Sequence, residues 1–177
     1  MNLFDIMAPA MFAALVVFLL LGLPVAFSLA ALGLALLGAG AGITVADLES
    51  ATAFFVGLGL EVEGTGSVEG EFVETVCGIP GAKCEIAMLR PPGEGSRLEL
   101  SSFVTPEHVP GSPAPMANEI GIRNVSFEVG DLQVAVDAVA ADGYGLIGGI
   151  GEYENSVRMA YVRGPEGIIV SLFEQIA

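Results

Sequence analysis

The chain has 177 residues, of which six are Lys or Arg, 21 are Asp or Glu and one is His, for a formal net charge of −15. Its mean hydropathy of +0.71 averages two unlike stretches: the 41 residues from Ile6 to Ala46 contain no Asp, Glu, Lys, Arg or His, whereas 20 acidic residues follow from Asp47 onward. So negative a surface repels phosphate backbones and anionic headgroups, which excludes nucleic-acid and peripheral lipid binding and leaves small molecules or proteins as partners.

The first expected element is the apolar segment, residues 7–41, because an uncharged run well beyond about 18 residues reads as membrane-embedded. It is too long for a signal-peptide core and has no basic residues before it, so it reads as a retained anchor touching membrane lipid. A single helix from Met7 to Leu37 would be about 46 Å long against a hydrocarbon core of roughly 30 Å. It must tilt, bend or break, and Gly22-Leu23-Pro24 is the expected break, since Pro24 removes a backbone donor. A kinked span and a hairpin of two short segments both stay open, and no Lys or Arg lies near either end to set the orientation. The stretch Phe18 to Gly38, with Gly22, Pro24, Val25, Ala26 and Phe27 at its centre, resembles the start of the large membrane subunit of TRAP transporters, which import organic acids. The resemblance implies at most an accessory role in transport, which needs a midplane site built from several broken helices.

The remaining 131 residues carry all six basic residues against 20 acidic ones, one domain's length with a net charge of about −14. An internal repeat organises them. At an offset of 84, Ile43 to Leu48 falls on Phe127 to Leu132, and Leu58-Gly59-Leu60 falls on Asp142-Gly143-Tyr144. Each copy predicts an alternating strand, an Asp-Leu helix start, a helix (Glu49 to Gly57; Gln133 to Ala141) and a terminating Gly. At an offset of 73, Ala87 to Pro92 lies over Ala160 to Pro165, a strand entering a Pro-Gly turn. Further strands follow, Arg97 to Phe103 and Gly167 to Phe173. The expected fold is α+β, two βαβββ units over residues 42–104 and 119–177, joined by a Pro-rich linker over 105–118 and preceded by the transmembrane segment.

Single residues add less. Cys77 and Cys84, seven apart, read as two reduced structural thiols. His108, the only histidine, falls in the linker as a solvated residue, and one histidine leaves the common catalytic triads unavailable. Glu152, Tyr153, Glu154 and Arg158 either line a substrate pocket or form a solvated strand edge.

The paired βαβββ units, with ITVADLESATAFFVGLGLEVEG, RLELSSF, IRNVSFEV and YVRGPEGIIVSLFEQ, resemble the vicinal oxygen chelate superfamily of glyoxalases, epimerases, extradiol dioxygenases and bleomycin-resistance proteins. The resemblance implies that each unit curls into half of a cup and that a divalent metal, held by one residue from the first and one from the last strand of each unit, is chelated by two adjacent oxygens of a small oxygen-rich metabolite and acts as a Lewis acid. Carried onto this chain, the last strands offer Glu99 and Glu174, while the two first-strand histidine positions fall on Gly40 and Asn124. The implied ligand set is Glu99, Glu174 and Asn124, with Glu174 as the catalytic carboxylate; it suits a hard cation held weakly or not at all. The implied activity is a lyase, isomerase, epimerase or dioxygenase; the alternatives are a metal-free binding module of bleomycin-resistance type, with two chains pairing as a homodimer, and a TRAP-associated membrane protein. Ala39 to Ile43 continue the Gly/Ala pattern of the apolar segment, so the two parts join at about Gly40 to Gly42, inside a strand and without a linker. That reads as a chimeric reading frame, with evolved anchoring of a cytoplasmic domain as the alternative.

Overall fold

The computed structural model describes residues 40–112 and 114–176. The expected membrane segment and the transporter-like stretch inside it lie outside the described residues, except for Gly40 and Ala41. Those two do not continue an apolar helix: they begin strand β1 and pair with Arg97 and Leu98. Among the described residues no helix is long and apolar enough to cross a membrane.

In chain order the elements are β1 (Gly40–Thr44), α1 (Leu48–Gly57), β2 (Glu61–Glu69), α2 (Glu71–Cys77), β3 (Lys83–Arg90), β4 (Arg97–Thr105), β5 (Asn124–Glu128), α3 (Leu132–Ala141), β6 (Gly145–Leu146), β7 (Gly151–Tyr153), β8 (Val157–Arg163), a short 3-10 turn (Pro165–Gly167) and β9 (Ile169–Gln175). They form two mixed sheets, the α+β arrangement expected from the repeat.

The first unit, residues 40–48 and 59–108, holds a sheet in the order β1-β4-β3-β2, with β1 parallel to β4 and the other pairs antiparallel. Alternation along β3 and β4 sends Ala87, Leu89, Leu98 and Leu100 to one face, where all four are buried. Cys84, Ile86 and Met88 turn to the other face and pack with Val68 and with Val73 of α2. Sequence pattern missed α2, seven residues between Gly70 (φ 95°) and Gly78 (φ 68°). Those left-handed glycines were its visible signal.

The second unit, residues 49–58 and 109–176, holds a sheet in the order β5-β9-β8-β6, with β7 also paired to β8. Helix α1 belongs here, not with the strands it follows and precedes in sequence. Its Phe54 ring meets Tyr144 edge-on at 5.0 Å, and Phe55, fully buried, lies 6.1 Å from Phe127. Burying each ring contributes roughly 2–3 kcal/mol, which decides where an otherwise small helix docks. Helix α3 buries Leu132, Val136 and Val139, an i, i+4, i+7 stripe, and the Asp131 carboxylate caps it by accepting from the Val134 N–H at 3.0 Å. Gly59 and Gly143, equivalent under the repeat, take φ values of 98° and 86° just past α1 and α3. The unit's second strand is split into β6 and β7, with Gly148 and Gly149 between them.

Candidate functional site

Within the first unit, strand register sets the surroundings of Glu99. It lies in β4 between Gly42 of β1 and Met88 of β3, and Gly64 of β2 is opposite Met88. A Cβ placed at Gly42 or Gly64 would meet nothing within 4 Å, so the space beside this row is open. Glu99 shares its face with Cys84, Ile86 and Met88, and this apolar setting pushes its carboxyl above the usual carboxylate range by desolvation. Its carboxyl has no hydrogen-bond or ion-pair partner among the described residues. Gly40, the position where the resemblance expects a histidine, is exposed strand opposite Arg97.

In the second unit Asn124 opens β5. Its side-chain N–H donates to the Tyr161 hydroxyl at 3.5 Å, and its Oδ1 accepts from the Ser126 hydroxyl at 3.3 Å. Tyr161 of β8 pairs with Ser171 of β9, which pairs in turn with Ser126, so one sheet face carries Ser126, Tyr161 and Ser171 in a row with Asn124 beside it.

Glu174 is on the other face. Its Oε2 accepts from the Leu132 N–H at 3.0 Å, at the start of α3, and meets Arg158 at 3.4 Å. Asn124 pairs with Ile169, five residues before Glu174, which is about 16 Å along the strand at 3.3 Å per residue. The structure therefore does not bring Asn124 and Glu174 to one ion, and the Glu174 carboxylate is engaged by the Leu132 N–H and Arg158. The residue that register equates with Glu99 is Ser171: Glu99 pairs with Gly42, Ser171 pairs with Ser126, and the repeat lays Gly42 on Ser126. Six residues, 91–96, connect β3 to β4, but only five, 164–168, connect β8 to β9. The shorter second connection moves the equivalent of Glu99 from Leu172, where the offset of 73 would put it, to Ser171, and Glu174 lies three residues farther on, on the opposite face.

A cavity of about 480 Å³ opens against β7 and β8, lined chiefly by Ile147, Gly149, Glu152, Tyr153, Met159 and Tyr161. Of the four candidates from the sequence, Glu152 and Tyr153 line it. Glu154 turns the β7–β8 hairpin at φ 49°, and Arg158 is engaged by Glu174. His108 follows β4 in the connector. Cys77 is exposed and Cys84 buried, both free, and burial pushes the Cys84 thiol up.

Among the described residues no three His, Cys, Asp or Glu side chains come together. The Asn124 face supplies an amide, two serine hydroxyls and a phenol, all neutral, whereas divalent centres are built from imidazole, thiolate or several carboxylate donors. These residues do not fit a transition-metal centre.

The sequence model of the glyoxalase/bleomycin resistance protein/dioxygenase superfamily matches residues 41–161. The chain belongs to that superfamily. The match begins at residue 41 and does not reach the transporter-like stretch. A glyoxalase family protein from Bacillus cereus, of known crystal structure, is 37% identical, with a TM-score of 0.77 and coverage of 80% of this chain and 95% of that one. Two more distant structures share the fold alone. A glyoxylase/bleomycin resistance protein/dioxygenase domain from Frankia is 15% identical (TM-score 0.53; 78% and 90% covered), and the trypanothione-dependent glyoxalase I of Leishmania major is 19% identical (TM-score 0.53; 75% and 82% covered). No curated protein matches the chain. Domains of this superfamily bind small-molecule ligands and are often dimeric, and many depend on a metal.

Proposed function

We propose that this glyoxalase-superfamily domain is a metal-independent binding module that takes a small organic molecule into the cavity against β7 and β8. The observation that carries this reading is the residue set around Tyr161: a largely apolar cavity beside a row of neutral hydrogen-bonding groups. Apolar walls with a few convergent polar groups are the usual make-up of a small-molecule site. The test is an NMR screen of neutral aromatic fragments against the full chain, with and without EDTA. Shifts centred on Tyr153, Met159 and Tyr161 that chelation leaves unchanged are expected. Binding that emerges only on adding Zn²⁺, Ni²⁺ or Mg²⁺ would overturn the reading.

A second reading, an enzyme using Glu99 as a general base, is favoured by that residue's desolvated, unpartnered carboxyl beside open space. Such a base would take a proton from a carbon or oxygen acid bound on the first sheet, and Glu99→Gln would abolish turnover while leaving binding at the Tyr161 cavity intact.

Membrane anchoring through the apolar segment is supported by the 34 residues from Ile6 to Ala39, ahead of strand β1, that carry no charge. The full chain is then expected in the membrane fraction of its host after carbonate washing, and recovery in the supernatant would contradict it.

A further inference from the structure

The cavity's chemistry points beyond a generic apolar ligand. Ser126, Asn124 and Tyr161 form a directed chain of hydrogen bonds. The Ser126 hydroxyl donates to Asn124 Oδ1 at 3.3 Å, and Asn124 Nδ2 donates to the Tyr161 hydroxyl oxygen at 3.5 Å. Because Tyr161 accepts from Asn124, its own O–H proton is left to donate, and Tyr161 is one of the residues lining the cavity. Hydrogen bonds arranged head to tail polarise one another, so the last donor in such a chain is strengthened. The rest of the wall, Ile147, Val157, Met159 and the ring of Tyr153, offers an apolar body-sized space.

Charge narrows the ligand further. Glu152 lines the cavity, and the chain carries a net charge of −15. On β8, Arg163 shares the Tyr161 face but is turned to the Gly167 carbonyl at 3.5 Å and the Met116 sulfur at 3.7 Å. No cation is thus presented to an anion by β8, and the surrounding field disfavours one.

We infer that the cavity selects neutral molecules that carry a carbonyl oxygen on an apolar body, with Tyr161 donating to that oxygen and Asn124 and Ser126 positioning the phenol. This rests on the binding-module reading and assigns its ligand class.

The test titrates the full chain with three probes of one size: 2-acetonaphthone, 2-ethylnaphthalene and 2-naphthoate, followed by NMR. The wild type is expected to bind the ketone about five- to tenfold tighter than the hydrocarbon, the effect of one good hydrogen bond, and the carboxylate more weakly than the ketone. Tyr161→Phe should erase the ketone's advantage and leave the hydrocarbon's affinity unchanged, which also reports that the variant is folded. Asn124→Ala, which acts only through the phenol, should shrink the same preference without moving hydrocarbon affinity, a split that a merely structural role would not produce. Equal binding of ketone and hydrocarbon by the wild type would overturn this inference while leaving the binding-module reading standing. A tighter carboxylate would overturn the choice of a neutral ligand. Failure of all three probes to bind would overturn both.

Discussion

The two sheets share one strand plan, a parallel pair of first and last strands flanked by antiparallel neighbours, yet they equip the same register position differently. In the first sheet that position is Glu99, a lone carboxyl among Cys84, Ile86 and Met88 with glycine-bordered space beside it. In the second it is Ser171, 2% exposed, in a row of neutral hydroxyl and amide groups that ends at a cavity. A duplicated framework can thus hold its backbone while the chemistry of the halves diverges. The apolar positions that close each sheet stay matched, whereas the inward polar positions, which contribute little to packing, are free to change.

The largest expected effect tests the shared framework. Leu100→Ala in the first sheet and Leu172→Ala in the second each delete a side chain with no exposed surface, and each should cost about 3 kcal/mol of unfolding free energy in urea. A loss below 1 kcal/mol in either would mean that its sheet is not packed as described. Next comes the turn where the halves part. Gly164 lies where a Cβ would stand 2.7 Å from the Phe54 ring, so Gly164→Ala should cost about 2 kcal/mol through overpacking against α1. The equivalent Pro91→Ala should cost less than about 1 kcal/mol, the entropy regained by the unfolded chain. Equal costs would break the assignment of α1 to the second unit.

Glu174 sharpens the comparison of carboxylates. Glu174→Ala removes the acceptor for the Leu132 N–H and the partner of Arg158, and a loss of about 1–2 kcal/mol is expected in chemical denaturation, with no change in ligand affinity. Glu99 should behave in the opposite way. Its carboxyl is held above the ordinary value by burial, so the folded state keeps its proton longer than the unfolded state. Stability therefore falls as pH rises from the unfolded value of about 4.5 through the higher folded one, and the penalty is in full force above that. Glu99→Gln removes the penalty: thermal melts should show a small gain at pH 7 and none at pH 3. A gain at pH 3 that vanished at pH 7 would contradict the assigned cause.

Much of the fold was legible because the repeat doubles every signal. Asp47-Leu48 and Asp131-Leu132 marked two helix starts, Gly59 and Gly143 two helix ends, and the strand patterns agreed between copies. What escaped notice was set by tertiary packing or by register. Nothing local to Phe54 and Phe55 says which sheet their rings will cover. The short helix Glu71–Cys77 is too brief to establish a periodicity, and only its bounding glycines announce it. For the site, the sequence singles out Asn124 on β5 and Glu99 on β4, but it offers Glu174 as the partner of Glu99 because it is a carboxylate near the end of β9. Register gives that place to Ser171, a residue that carries no signal of its own in the sequence. Tyr161 was missed for a similar reason: an alternating strand shows that a tyrosine faces one side, not that the side is hollow.

The central claim is that ligand binds in the second unit, at the Tyr161 cavity, without a metal. Its most direct test is a chemical-shift map of the EDTA-treated full chain titrated with 2-acetonaphthone. The account predicts saturable shifts in residues 147–161 and in the Asn124 side-chain amide, with β4 around Glu99 silent. Shifts centred on Glu99, or none until a divalent metal is restored, would contradict it.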